Sequence, residues 1–163
     1  MKQYYTTLKS PFCDIILLAN SEGLTQLHLE TGKGKRTFEI GPSWIRDDNF
    51  LSEYSKQVSE YFQGKRQIFE LPLSLKGTDF QLRVWKALQE IPFGEVRSYT
   101  EMATAIGSPK AARAVGMANS KNQIPLIIPC HRVIGANGKL TGFAHGLEIK
   151  SQLLRFEAEK AQR

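Results

Sequence analysis

The chain of 163 residues has only two cysteines, Cys13 and Cys130, only three histidines, and no Cys-x-x-Cys pair. Two cysteines cannot build the disulfide framework of a small secreted domain, and without paired thiols a zinc ribbon or a dithiol exchange site has no ligands. A single Cys13 to Cys130 bridge is compatible with the count, although a reducing compartment would keep both thiols free. No apolar stretch approaches membrane-spanning length, and Met1-Lys2-Gln3-Tyr4-Tyr5 lacks the apolar core of a secretory signal, so the expected compartment is the cytoplasm. Hydrophobic residues make up 41% and charged residues 23%, which is ordinary for a globular chain and enough to fill a core without covalent staples.

Acidic residues run short in one part of the chain only. Residues 1–75 carry 9 Lys+Arg against 9 Asp+Glu, whereas residues 76–163 carry 13 against 7, so the whole excess of +6 lies in the second part. Such a segment favours polyanions such as nucleic acid through counterion release; a merely basic, well-solvated surface is the alternative.

The chemistry is concentrated in Pro129-Cys130-His131-Arg132-Val133, directly after the apolar run Leu126-Ile127-Ile128. A thiolate is strongly nucleophilic at neutral pH, and an imidazole beside it can take its proton or stabilise its charge. If the apolar run continued as a strand, Cys130 and His131 would point to opposite faces. Either the chain turns here or a water relays the proton.

The first part of the chain reads as short strands at Tyr4–Leu8, Asp14–Ala19 and Leu24–Leu29. Asn20-Ser21-Glu22-Gly23 is the turn of a β-hairpin, and Gly32-Lys33-Gly34-Lys35 reads as a loop. A helix follows from Phe50 to Phe62, with Leu51, Tyr54, Val58, Tyr61 and Phe62 at helical spacing and Gly64 as its stop. Pro72–Gly77 marks a boundary between an α/β domain of residues 1–75 and a mostly α domain of residues 76–163. In the second domain Thr78 caps a helix through Glu90, whose stripe of Phe80, Val84, Trp85 and Leu88 is core. Ser98 with Glu101 forms a capping box for Tyr99–Ile106, and Gly107-Ser108 breaks that helix. Pro109 opens a second helix through Asn119. Together these have helix-turn-helix form, a pattern that any helical hairpin also produces.

The segment Ala111-Ala112-Arg113-Ala114-Val115-Gly116-Met117-Ala118 is almost entirely small apart from one arginine. Close packing against another helix explains it, and so does entry into a minor groove only about 6 Å wide, with the arginine free to reach the base stack. Leu147–Glu159 reads as a last helix. In it Glu157 falls at the edge of the apolar face made by Leu153 and Leu154, where a carboxylate needs a partner such as histidine.

Phe80–Glu157 resembles the O6-alkylguanine-DNA alkyltransferases across their C-terminal domain. The resemblance is carried by Pro129-Cys130-His131-Arg132-Val133, Pro92-Phe93-Gly94-Glu95-Val96, Tyr99, Ala111–Gly116, Asn122, Gly138, Gly142 and Lys150, in the family's order and spacing. Residues 1–75 look like the family's small α/β domain, with a weaker match. The resemblance implies a single-use methyltransferase: Cys130 takes the alkyl group from O6 of a flipped-out guanine and keeps it as a thioether, with O4-alkylthymine a further candidate substrate. It makes His131 the base, acting through a water, and Glu157 the group that fixes its tautomer. Asn122 would brace the cysteine turn, and Tyr99 would meet guanine N3 and crowd the 3′ phosphate. Val133 and Cys130 would read the guanine edge by their backbone, Phe143 would wall the pocket, and the Ala144 amide would donate to O6. Arg113 would fill the gap left by the flipped nucleotide, within a DNA-contacting surface of Thr100, Ala112, Ala114 and Gly116. The implied partner is double-stranded DNA engaged through its minor groove by a monomer, with no membrane and no cofactor. In a bacterium that places the protein at the nucleoid, in a eukaryote in the nucleus.

Some positions depart from the family. Phe143 stands where many members have tyrosine, Ala144 where some have serine, and His145 where glycine is common, which is expected to narrow the pocket or alter its preference for bulky alkyl groups. Cys13 and His28 do not reproduce the N-terminal zinc ligands of some members and are expected in ordinary strands, so no metal site is assigned. Two other classes use parts of the pattern. A cysteine hydrolase would need an oxyanion site that nothing in the sequence suggests, and a DNA-binding lesion sensor would leave Cys130, His131 and Glu157 without work.

Overall fold

The computed structural model describes residues 1–34 and 38–162. Four strands form the N-terminal sheet: β1 (Tyr4–Lys9), β2 (Asp14–Asn20), β3 (Gly23–Glu30) and β4 (Ile45–Arg46), in the order β3-β2-β1-β4. The first three pair antiparallel, and β4 adds to β1 in parallel. The predicted hairpin turn is present. Asn20 closes it by accepting the amides of Glu22 at 2.8 Å and Gly23 at 3.1 Å on its side-chain oxygen. Gly23 is required there, since a Cβ would sit 2.6 Å from the Pro72 carbonyl oxygen. That contact lets the interdomain linker run along β3, with the Leu24 amide donating to Pro72 and the Ser74 amide donating to Leu24.

The structure adds β4 and a first hairpin at Ser10–Cys13, where Ser10 Oγ accepts the amides of Phe12 and Cys13. Cys13 therefore lies in a turn rather than in the expected strand, while His28 does lie in β3. Central strand β2 buries Ile15, Leu17, Leu18 and Ala19 on both faces, so it lacks a clean alternation. Gly32, Lys33 and Gly34 lie outside helix and strand, and Lys35 of the predicted loop falls outside the described residues.

Helix α1 (Ser52–Phe62) starts two residues later than predicted because Asp47 holds the Phe50 amide at 2.9 Å in a preceding turn. Its buried face presents Tyr54, Val58 and Tyr61. Gly64, at φ 75°, ends the run as expected.

The second domain is helical. Thr78 and Gln81 make a capping box on α2 (Asp79–Gln89), and Ser98 and Glu101 make the predicted one on α3 (Tyr99–Ala105). Helix α4 spans Ala112–Ser120, so it begins three residues after the predicted Pro109. Pro109 and Lys110 instead occupy a turn closed by the Ala111 amide donating to Ser108 at 2.9 Å. Helices α3 and α4 pack on each other and on α2, with Trp85 Nε1 donating to the Ala118 carbonyl at 2.9 Å. Short strands β5 (Arg97–Ser98) and β6 (Val133–Ile134) pair in parallel, fastening the entry of the helix-turn-helix to the residues just after Cys130-His131-Arg132. Helix α5 (Leu147–Ala161) closes the fold with Ile149, Lys150, Leu153 and Glu157 buried. No helix among the described residues is long and apolar enough to cross a membrane.

Candidate active site around Cys130

The chain does turn at the cysteine. Residues Cys130–Arg132 form one 3₁₀ turn rather than the end of a strand, and the apolar run before it is a series of turns. Leu126 within that run is the sole non-glycine residue at positive φ (76°) among those described, a conformation that costs about 1–3 kcal/mol and persists only where its surroundings impose it. Asn122 supplies much of that imposition. Its Nδ2 donates to the Ile128 carbonyl at 2.8 Å and its Oδ1 accepts the Ile124 amide at 3.0 Å, while the Cys130 amide donates to Ile128 at 2.7 Å. Asn122 thereby ties the segment before the cysteine to the turn itself. From above, α4 contributes Asn119, whose Nδ2 donates to the Cys130 carbonyl at 3.3 Å.

Cys130 is buried at 4% exposure and is not in a disulfide, as is also true of Cys13. His131 and Glu157 are more deeply buried and meet at 2.9 Å between Nε2 and Oε2. Glu157 is thus inside the core rather than at the edge of a helix face. Burial pushes its carboxyl up, but His131 and Arg132 outweigh that and hold it well below the usual carboxylate range. An ionised carboxylate can only accept, so Nε2 of His131 carries a proton toward Glu157. Nδ1 is buried and makes no hydrogen bond to the described residues. In a 3₁₀ turn, successive side chains diverge by about 120°, so Cys130 and His131 do not face one another and a bridging water suits the proton path.

The contacts of three contributors to this site were not read from the sequence, although Arg132 and Lys150 are among the residues that carry the resemblance. Arg132 clasps Glu157 through Nε to Oε1 at 2.8 Å and Nη2 to Oε2 at 2.9 Å, and donates from Nη1 to the Ile91 carbonyl at 2.7 Å. A charged residue set between Ile128 and Val133 could have been read as needing a buried partner. Tyr61 of α1 donates to Glu157 Oε2 at 2.5 Å across 96 positions of sequence, and no local pattern announces such a contact. Lys150 donates to the carbonyls of Val133 at 2.7 Å and Thr141 at 2.8 Å, tying the cysteine turn to the loop that follows. Burial pulls its ammonium down to about 8, with Cys130 acting in the opposite sense. The Val133 carbonyl keeps a second lone pair beyond its bond to Lys150.

Phe143 and Ala144 are half-buried and line a cleft of about 680 Å³ together with Gly142, Leu147, Ser120 and Lys121. Tyr99 is half-buried, its hydroxyl 3.4 Å from the Thr141 carbonyl. His145 does not line that cleft. It is 3% exposed and turned toward the N-terminal domain, its ring 5.3 Å from that of His28, with Thr31 Oγ1 donating to its carbonyl at 2.7 Å. β3 offers its ring a buried seat, and the same ring packs against Phe143 of the cleft with centroids 5.7 Å apart. On the outer side, Thr100, Arg113 and Ala114 are exposed, and Ala112 and Gly116 are half-buried. Among the described residues no group of three or more His, Cys, Asp or Glu side chains could hold a metal ion.

A buried thiol beneath a helix-turn-helix, beside a buried histidine–carboxylate pair and joined to a small sheet domain, combines a DNA-binding architecture with a cysteine site. Residues 79–159 match the model of the 6-O-methylguanine DNA methyltransferase DNA-binding domain, and residues 3–75 match that of the ribonuclease-like domain of the same proteins. The chain belongs to the 6-O-methylguanine DNA methyltransferase family. It is 53% identical over 154 residues to a methylated-DNA–protein-cysteine methyltransferase of Methanosarcina barkeri, covering 94% of this chain and 96% of the relative. It is 46% identical to the constitutive enzyme of that name in Bacillus subtilis, covering 94% of each. The crystal structure of Mycobacterium tuberculosis OGT in complex with DNA superposes with a TM-score of 0.87 at 44% identity, covering 96% of this chain and 94% of that one.

Proposed function

We propose that the chain repairs DNA by direct reversal, moving a methyl or other alkyl group from O6 of guanine to Cys130 in one stoichiometric step. The His131–Glu157 contact of 2.9 Å, built into the same turn as a buried thiol, carries this reading. The thiol proton passes through a water to His131 Nδ1, and the thiolate attacks the alkyl carbon. The S–C bond forms as the C–O bond breaks. The bonding pair goes to O6, and guanine leaves as an anion that the Tyr99 hydroxyl stabilises at N3. The carbonyls of Cys130 and Val133 and the amide of Ala144 hold the base edge, and Phe143 walls it. Nothing in this sequence returns the thioether to a thiol, so the protein is consumed.

The substrate is duplex DNA entered from the minor groove by α4, whose small exposed residues around Arg113 allow close approach once the lesion is flipped out. Residues 76–163 carry this work as a monomer, residues 1–75 support it, and the place of action is wherever the cell keeps its DNA. Incubating the protein with a duplex containing O6-methylguanine tests the proposal. Wild type restores guanine in the strand, and Cys130→Ala binds the duplex without restoring it. Restoration by Cys130→Ala would overturn the reading.

A further inference from the structure

Oxygen Oε2 of Glu157 receives three donors: His131 Nε2 at 2.9 Å, Arg132 Nη2 at 2.9 Å and the Tyr61 hydroxyl at 2.5 Å. The tyrosine bond is the shortest of the three and lies in the range of charge-assisted O–H···O⁻ contacts. Tyr61 is fully buried, so water does not compete for the bond. Its ring is packed against Phe62, Phe69, Phe93 and Phe156, which fixes the direction of the hydroxyl. Tyr61 is also the one donor that comes from the N-terminal domain, since His131, Arg132 and Glu157 all lie beyond residue 76.

We propose that Tyr61 is a positioning residue for alkyl transfer, drawing charge from Glu157 and so setting how tightly His131 holds a proton. This rests on His131 being the base. A buried carboxylate with the imidazole as its main partner would hold the imidazolium strongly, and the base would be spent before Cys130 could use it. Sharing the charge among three donors leaves Glu157 able to orient the Nε2–H without trapping a proton on Nδ1.

The charged and titratable groups bonded to Glu157 beside His131 are Tyr61 from α1 and Arg132 from the 3₁₀ turn, whereas Lys150 from α5 bonds the Val133 and Thr141 carbonyls and acts on Cys130. The segment after α2 offers only the Ile91 carbonyl and the Phe93 ring, both directed at Arg132. Arg132 keeps its charge throughout the neutral range. Tyr61 keeps its proton, because burial and the Glu157 charge push its hydroxyl well above the ordinary value. Its bond to Glu157 is therefore kept throughout the pH range of the test.

The test is the rate of alkyl transfer as a function of pH, measured on a duplex bearing O6-methylguanine and on a free O6-alkylguanine base. Tyr61→Phe keeps the ring packing and removes the donor. Glu157 then holds the imidazolium more tightly, and the acid limb of the profile moves up by about half a unit to one unit with both substrates. The plateau falls by less than roughly tenfold, because orientation by Arg132 survives. Placing meta-fluorotyrosine at position 61, a stronger donor, moves the limb down, and this variant keeps the hydroxyl bond should Tyr61→Phe fold poorly. A limb that stays in place in both variants, whatever happens to the plateau, overturns the role and leaves Tyr61 as packing alone. His131→Ala separates the two levels: if it retains the wild-type limb and rate, it is the reading of His131 as base that fails.

Discussion

At the scale of single residues, Glu157 organises the site more than its distance from the cysteine suggests. The sequence showed a carboxylate after Leu153 and Leu154 that needed a partner, and it suggested histidine. It did not show that Arg132 and Tyr61 would converge on the same group, because one contact depends on how the 3₁₀ turn aims its third residue and the other on interdomain docking. The arrangement separates two effects of mutation. His131→Ala removes the base and should slow alkyl transfer by about 10²–10⁴. Glu157→Gln keeps a group that can orient His131, so transfer slows less, but it leaves Arg132 buried without its counter-charge and should cost roughly 3–5 kcal/mol of stability. Because the folded state holds Glu157 below its ordinary value of 4.5, its contribution is fully present above that pH and is lost as the pH falls below it. Denaturant midpoints of wild type and Glu157→Gln should therefore differ most near neutrality and converge in acid. A gap that widens in acid would contradict the assignment of Glu157 as the ionised partner.

At the scale of elements, the helix-turn-helix was legible from its capping box and its Gly107-Ser108 break, while the start of α4 was not. Pro109 reads as a helix opener, but Ser108 accepts the Ala111 amide and closes a turn over Pro109 and Lys110, delaying the helix to Ala112. The small-residue helix presents two faces. Val115, Ala118 and Asn119 point inward, whereas Arg113, Ala114 and Met117 are exposed. The proposed contact with DNA concerns that outer side. Arg113→Ala should accordingly slow repair in duplex DNA more than reaction with a free O6-alkylguanine base, since only a stacked base must be flipped. Binding of undamaged duplex should fall steeply with salt and vary little with sequence. Equal losses on duplex and free base would assign Arg113 to the cysteine pocket instead.

At the scale of the whole molecule, the cysteine motif and the charge excess lie in one domain, and the other reaches Glu157 through Tyr61. The cysteine motif, the capping signals and the charge excess of residues 76–163 were all visible in sequence, since each is local or additive. The contacts that join the two domains link distant segments and were invisible: Tyr61 to Glu157, Thr31 to His145, and the Leu27 amide to the Gln123 carbonyl at 2.9 Å. His145 shows the same limit, since its contact with His28 of β3 joins segments far apart in sequence. The account stands or falls on one transfer to one thiol. Intact-mass and peptide analysis of the protein, after reaction with excess O6-methylguanine duplex, measures this directly. The account predicts a single gain of about 14 Da per chain, located on Cys130 and not increasing with time, as expected of a nucleophile that forms a stable covalent product. More than one turnover per chain, or a methyl group on Cys13, would contradict it.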